Sequence, residues 1–261
     1  MRELVTTIEI SGYVEDVLEA LVRAGIYSSK TEAIRDAVRR LVESYDMKDV
    51  SLRAYRSGNI SFQLAVEISG VSMDELIWYF LSKDTAPSLG TDSEDEASSG
   101  INLIREAEVL VLDLSSLYAM LELSLQDRIA SFNKRFLMPN RVQERAQALT
   151  LKFSKMKGLV VNLEGVDIIK VDRDLTAFSH RNGLSVQESQ AIYVAKKVKG
   201  VLLSDDKRTR QVARSHGVAA ATTLSLLLFG KQVGSLDEQT YRVLVSRLGA
   251  IPYQVPRPYL P

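Results

Sequence analysis

No cysteine occurs among the 261 residues. Its absence removes disulfides, thiolate catalysis and cysteine-ligated zinc, and it suits a reducing cytosol. An excess of one charge is missing too: 33 Lys and Arg balance 33 Asp and Glu. That excludes a global basic field drawing the chain to nucleic acid, so any such binding has to be local. The opening residues, MRELVTTIEI, alternate in character and carry charge, which makes neither a signal-peptide core nor a membrane span. A soluble cytoplasmic protein with no membrane partner is expected. Histidine is scarce, with two in the chain. His180 precedes a turn at "RNG", and His216 sits with Gly217 at a helix end where an imidazole suits the dipole, so neither is read as a ligand.

What is present suffices for two domains, since 46% of the residues are hydrophobic and domains usually run about 100–200 residues. The clearest break is "KDTAPSLGTDSEDEASSG", Lys83 to Gly100, where Ser, Gly, Asp and Glu replace the apolar periodicity. Such a stretch buries too little apolar surface to offset its ordering entropy. It is read as a flexible acidic linker.

Before it, "LVTTIEIS" alternates as a strand, and "YVEDVLEALVRAG" has helical apolar spacing ending at Gly25. A second helix opens with "SKTE", in which Ser29 can cap and Glu32 can reach back, and Ala33, Ile34, Ala37, Val38, Leu41 and Val42 share one face. A lone strand with so small a core calls for a partner copy. The stretch "IYSSKTEAIRDAVRRLVE" resembles the second helix, with its preceding turn, of ribbon-helix-helix proteins, the CopG/ParD/VapB-like antitoxins and repressors. The resemblance implies a homodimer whose paired strands lie in the major groove of operator DNA while the second helix start holds a phosphate. Glu9, on the outward strand face with Val5 and Thr7 if Ile8 and Ile10 face the core, would repel those phosphates. Dimerisation alone therefore stands beside operator binding.

In "SLRAYRSGNISFQLAVEISGVSMDELIWYFLSK", Val66, Gly70, Val71 and Leu76 have helix-turn-helix spacing, with Gly70 free to take the turn. Asp74 and Glu75 at the second helix entry are poor groups to face phosphates. A helical protein-contact module is expected.

After the linker, short apolar strands alternate with helices, the pattern of a parallel α/β sheet. Asp113 ends one strand, and Asp205 and Asp206 end another, "VLLSDDKRTRQVA". Ligands bind outside the carboxyl ends of strands in such sheets. Glu144 follows the strand-like "RFLMPNRV", and Glu188 lies beside the apolar stripe of "LSVQESQAIYVAKKVKG". Asp172 and Asp174 read as helix caps. Acids gathered from separate elements repel unless a hard divalent cation sits among them, and Mg2+ or Mn2+ fits where zinc does not.

"VLVLDLSSL", "MPNRVQER" and "LSVQESQAIYVAKKVKGVLLSDDKRTRQVARSHGV" resemble a PIN-domain nuclease of the VapC toxin type. That resemblance covers nearly all of the chain after the linker. It implies a metal-dependent ribonuclease with Asp113, Glu188 and Asp205 or Asp206 as metal-binding acids and Ser115 as the small polar residue beside the first. Two positions depart from the pattern. Arg145 stands where the acid after the Pro-Val pair usually lies, with Glu144 one residue earlier, and Gln187 replaces a Gly. A lone acid is usually a cap or a solvated group, and Glu144 stays open between cap and ligand. Lys207, Arg208, Arg210 and Arg214 read either as RNA-facing or as a solvated helix face.

The expected fold is α/β, a C-terminal PIN-like three-layer αβα parallel sheet preceded by a ribbon-helix-helix and a small helical module. Expected bounds are 1–47 for dimerisation, 48–83 for the helical module, 84–106 for the linker and 107–261 for the nuclease. The whole resembles a fused toxin–antitoxin pair: an RNA-cleaving homodimer, or a tetramer if both ends pair, restrained by its N-terminal half with Arg53 or Arg56 inserted among the acids. The competing reading is a DNA-binding regulator or assembly module whose PIN domain no longer cuts.

Overall fold

The structure, a computed structural model, describes residues 9–152 and 164–260. It divides into two compact units, Met1–Asp49 and Val50–Pro261. The strand expected over Leu4 to Ser11 falls largely outside the described residues.

In the first unit, α1 (Tyr13–Arg23) and α2 (Lys30–Glu43) form where apolar spacing places them. The Ser29 hydroxyl caps α2 by accepting from the Glu32 N–H at 3.2 Å. Glu32 reaches back one residue further than expected, to the Ser28 N–H at 2.7 Å. Only a thin core results among the described residues, with Leu18 and Ala33 buried, while Val38, Leu41, Val42 and Tyr45 stay exposed.

The second unit carries a five-stranded sheet, β1 (Val109–Leu112), β2 (Arg135–Pro139), β3 (Val166–Ile169), β4 (Val201–Leu203) and β5 (Ala220–Ala221), in the order β3-β2-β1-β4-β5. Every pairing is parallel. The strands are apolar on both faces because both are covered. Leu110, Leu112, Phe136 and Leu203 pack to one side, whereas Val111, Leu137 and Leu202 pack to the other. Helices α10 (Val186–Val198) and α11 (Lys207–Ser215) cover the second face, and α7 (Leu114–Glu122) and α12 (Thr223–Gln232) cover the first. Three layers follow from that alternation. The chain runs outward from β1 in both directions, so the switch point lies between β1 and β4.

The helical module is continuous with the core on the Leu110 and Phe136 side of the sheet. It comprises α3 (Met47–Arg56), α4 (Phe62–Ser69) and α5 (Met73–Ser82), with Gly70 at φ 69° closing α4. Phe62 meets Tyr55 and Phe80 edge to face, at ring separations of 5.8 and 5.6 Å. Phe62, Val66, Leu76 and Phe80 belong to the same buried cluster as Leu110 and Phe136.

The stretch read as a linker is structured. Ser88 to Thr91 lie against residues 205–207 and 254, with the Gly90 N–H donating to the Asp205 carbonyl at 2.8 Å. Helix α6 (Glu94–Glu106) follows, capped by Ser93, and buries Ala97, Ile101 and Ile104. Its acidic first turn complements the helix dipole. No described helix is long and apolar enough to cross a membrane.

Candidate active site

The carboxyl ends of β1 and β4 are adjacent, with Leu112 opposite Leu203. They deliver Asp113 from one strand and Asp205 and Asp206 from the other, while the first turn of α10 brings Glu188. The four carboxylates are 0–2% exposed. Buried acids need donors, and each of their eight oxygens has one.

Asp113 caps α7: its Oδ1 accepts from the Ser116 N–H at 2.9 Å and the Ser115 hydroxyl at 2.8 Å, and its Oδ2 accepts from the Ser204 hydroxyl at 2.5 Å. Glu188 forms a capping box with Ser185. Its Oε2 accepts from the Ser185 N–H and from the Ser61 hydroxyl, both at 2.7 Å, and its Oε1 from the Thr209 hydroxyl at 2.5 Å. Asp205 accepts from the Thr223 N–H at 2.9 Å and from the Thr223 hydroxyl. Asp206 caps α11 through the Thr209 N–H at 3.1 Å, and its Oδ2 accepts from the Phe62 N–H at 2.7 Å.

Ser115 ties the strand ends together. Its O–H donates to Asp113, and its oxygen accepts from the Asp205 N–H at 2.8 Å and the Asp206 N–H at 3.1 Å. The Tyr253 hydroxyl donates to the Ser115 carbonyl at 2.9 Å.

Burial pushes all four carboxyls up. For Glu188 the nearby Asp206 charge adds to burial, and Thr209, Ser61 and Ser185 offset part of it. For Asp205 burial outweighs the Thr223 hydrogen bonds and the Arg210 charge, leaving it at about 6.

Two donors come from α4. Ser61 is its N-cap and Phe62 its first residue, so the positive end of the helix dipole points into the acids. The approach is close: Gly183 lies at φ 64°, and a Cβ there would stand 1.7 Å from the Asn59 carbonyl oxygen. Arg208 braces the same loop through the Gly58 carbonyl at 2.9 Å.

Asp113, Ser115, Glu188, Asp205 and Asp206 are thus brought together. Glu144 is not: it is exposed on α8 (Asn140–Lys152) and accepts from Asn140 Nδ2 at 2.9 Å. Arg53 and Arg56 are exposed, and Arg56 donates to Thr85 Oγ1, just beyond α5, at 2.6 Å. The basic run after Asp206 is largely paired within the chain, with Lys207 and Arg214 still part-exposed. Lys207 pairs with Asp92 at 2.9 Å, and the fully buried Arg210 pairs with Glu96 at 3.0 Å, joined there by Arg214 at 2.8 Å. Neither Asp172 nor Asp174 is the N-cap of the next helix, a place Leu175 takes: Asp174 accepts from the Thr176 N–H at 2.9 Å just before it, and Asp172 pairs with Lys170 at 3.0 Å.

Ser61, Thr209, Ser204 and Thr223 were not candidates from the sequence. A hydroxyl carries no periodic signal, although Ser61 before the apolar "FQLAVEI" has the form of an N-cap.

The oxygen-rich donor set is of the kind hard divalent ions take. As arranged, however, it does not fit one. Among the described residues no group of three or more Asp, Glu, His or Cys is placed to hold a metal.

A family model, DUF3368, described as a PIN domain, matches residues 109–253. No curated protein and no solved structure matches the chain. The matched span runs from the start of β1 to the Tyr253 that anchors Ser115, and covers more than half of the sequence. With the parallel sheet and the acids at its switch point, this establishes that the chain belongs to the PIN domain family.

Proposed function

We propose that the chain is a PIN-type endoribonuclease held closed by its own helix α4, in a fused toxin–antitoxin-like arrangement. The observation that carries this reading is the donation by Ser61 and Phe62 to Glu188 and Asp206, which lays the start of α4 over two of the four carboxylates that a phosphodiester-cleaving centre needs. Closure here works through a helix N-terminus rather than an inserted Arg53 or Arg56. Mg2+ or Mn2+ belongs to the open state alone; in the closed state the carboxylates serve as helix caps. Ser115 keeps Asp113 and the 205–206 backbone in register in either state.

The first unit has the role of a dimerisation module, its exposed α2 face covered by a second copy. Binding of operator DNA by that dimer is compatible with the nuclease.

A second reading, a regulator or assembly module whose PIN domain does not cut, is favoured by the full satisfaction of all eight oxygens. Manganese titration by calorimetry separates the two. The nuclease reading expects little binding to the native chain, clear binding to Gly183→Ala, which disturbs the α4 approach, and its loss on adding Asp113→Asn. No binding by folded Gly183→Ala favours the regulator.

A further inference from the structure

The side of α4 facing α8 and α10 is polar and poorly matched. Gln63 is 2% exposed, yet neither its amide nitrogen nor its oxygen has a partner among the described residues. One turn on, Glu67 Oε1 is buried and has no partner among the described residues, and the same holds for Arg145 Nε on α8 and the Oε1 atoms of Gln187 and Gln190 on α10. Glu67 hydrogen-bonds Gln187 and lies in the field of Arg145. Burial raises the Glu67 carboxyl, and those two contacts offset only part of the rise.

The apolar side of the same helix fits well, with Phe62 edge to face against Tyr55 and Phe80. Buried polar atoms in native proteins are rarely left without partners. The wall that α8 and α10 present to α4 leaves polar atoms unmatched, and is suited to another polar occupant. That wall adjoins the acidic centre, because Gln187 and Gln190 flank Glu188 on α10. Its cation is a guanidinium, whose planar fork suits a phosphate, and its present counter-charge is a carboxylate of the covering helix.

We propose that Arg145 is the contact for a phosphate of single-stranded RNA laid across the acidic centre, and that Glu67 holds that phosphate's place while α4 covers the site. The inference rests on the ribonuclease reading and adds a substrate-binding residue to it. The helix then matches the site twice: its N-terminus meets the acids, and Glu67 one turn further meets the base.

The test is fluorescence anisotropy of a short labelled single-stranded RNA with the full-length chain in EDTA, where metal-dependent cleavage is silent. Glu67→Lys, which repels Arg145, and Gly183→Ala, which disturbs the loop before α4, are compared with the native chain, each with and without Arg145→Gln. Either uncovering variant is expected to bind RNA about tenfold tighter than the native chain, with Arg145→Gln reversing most of the gain and lowering the salt slope by about 0.7, the share of one phosphate. No gain from either variant overturns the proposal. A gain that Arg145→Gln leaves intact, or lowers with no change in salt slope, overturns it too. Arg145-dependent binding without cleavage once manganese is restored would sink the ribonuclease reading and leave this inference standing. Manganese-dependent cleavage unaffected by Arg145→Gln would do the reverse.

Discussion

The backbone N–H of Phe62 donates to Asp206 Oδ2 at 2.7 Å, joining the first turn of α4 to a carboxylate 144 positions along the chain. The same residue anchors the aromatic cluster with Tyr55 and Phe80. Helix α4 and the strands that carry the acids therefore share one hydrophobic core, and on the proposed reading of α4 as a cover it cannot leave without exposing part of that core. A cover built this way opens rarely unless something lowers that cost.

Gly183→Ala should lower it without altering a carboxylate. The new Cβ meets the Asn59 carbonyl oxygen at 1.7 Å in a backbone conformation that disfavours a side chain. A loss of about 2 kcal/mol in local stability corresponds to roughly thirtyfold faster hydrogen exchange of the Phe62 amide. Unchanged exchange there would show that the loop before α4 is not what holds the cover.

Stability without metal should fall as pH rises from about 4 to about 6. The Asp205 carboxyl is held at about 6 against an ordinary 3.8, so in that window the folded chain binds the proton more tightly than the unfolded chain. Below it both forms are protonated; above it both are ionised and the folded form bears the burial cost. The swing from this residue is about 3 kcal/mol as an order of magnitude. Asp113, Glu188 and Asp206, also raised, act in the same sense. In urea melts, Asp205→Asn should gain on the native chain as pH increases across the window. A pH-independent difference would contradict the account.

Glu96→Gln should be costly although Glu96 lies in the stretch that reads as linker. It would leave Arg210, 1% exposed, without its carboxylate. Breaking a buried pair from one side costs about 3–5 kcal/mol, visible as a lower urea midpoint. Replacing Arg210 by Met in the same chain should recover part of the loss, because no unpaired buried guanidinium then remains.

The first unit should associate through α2. Val38, Leu41 and Val42 recur at helical spacing and are all exposed, Leu41 at 57%, a pattern that calls for a covering surface. Leu41→Glu is expected to lower the mass measured by light scattering to that of a smaller assembly. A native chain that is already monomeric would remove the dimer from the account.

Much of this was legible in the residues. Strand ends announced Asp113, Asp205 and Asp206, and the apolar stripe of α10 announced Glu188, because buried strands and helix stripes are local patterns. Glu144 stayed ambiguous in sequence. Once Val142 is turned inward, a residue two positions on falls on the far side of the helix, where Glu144 meets Asn140 instead. The supposed linker misled through its composition. Glu94, Asp95 and Glu96 are a helix first turn after a Ser93 cap, and Gly100 permits close packing, since a Cβ there would stand 2.2 Å from Ser225 Oγ. A fragment starting at Gly100 would cut α6 in two. The contacts of Ser61 and Phe62 with the acids span well over a hundred residues, and no local signal carries them.

The most direct test is manganese-dependent cleavage of a mixed structured RNA pool by the full-length native chain, by Gly183→Ala, and by Gly183→Ala combined with Asp113→Asn. The account predicts weak or no cleavage by the first, clear cleavage by the second and none by the third. A folded Gly183→Ala chain whose Phe62 amide exchanges freely, yet which leaves the RNA intact, would contradict it.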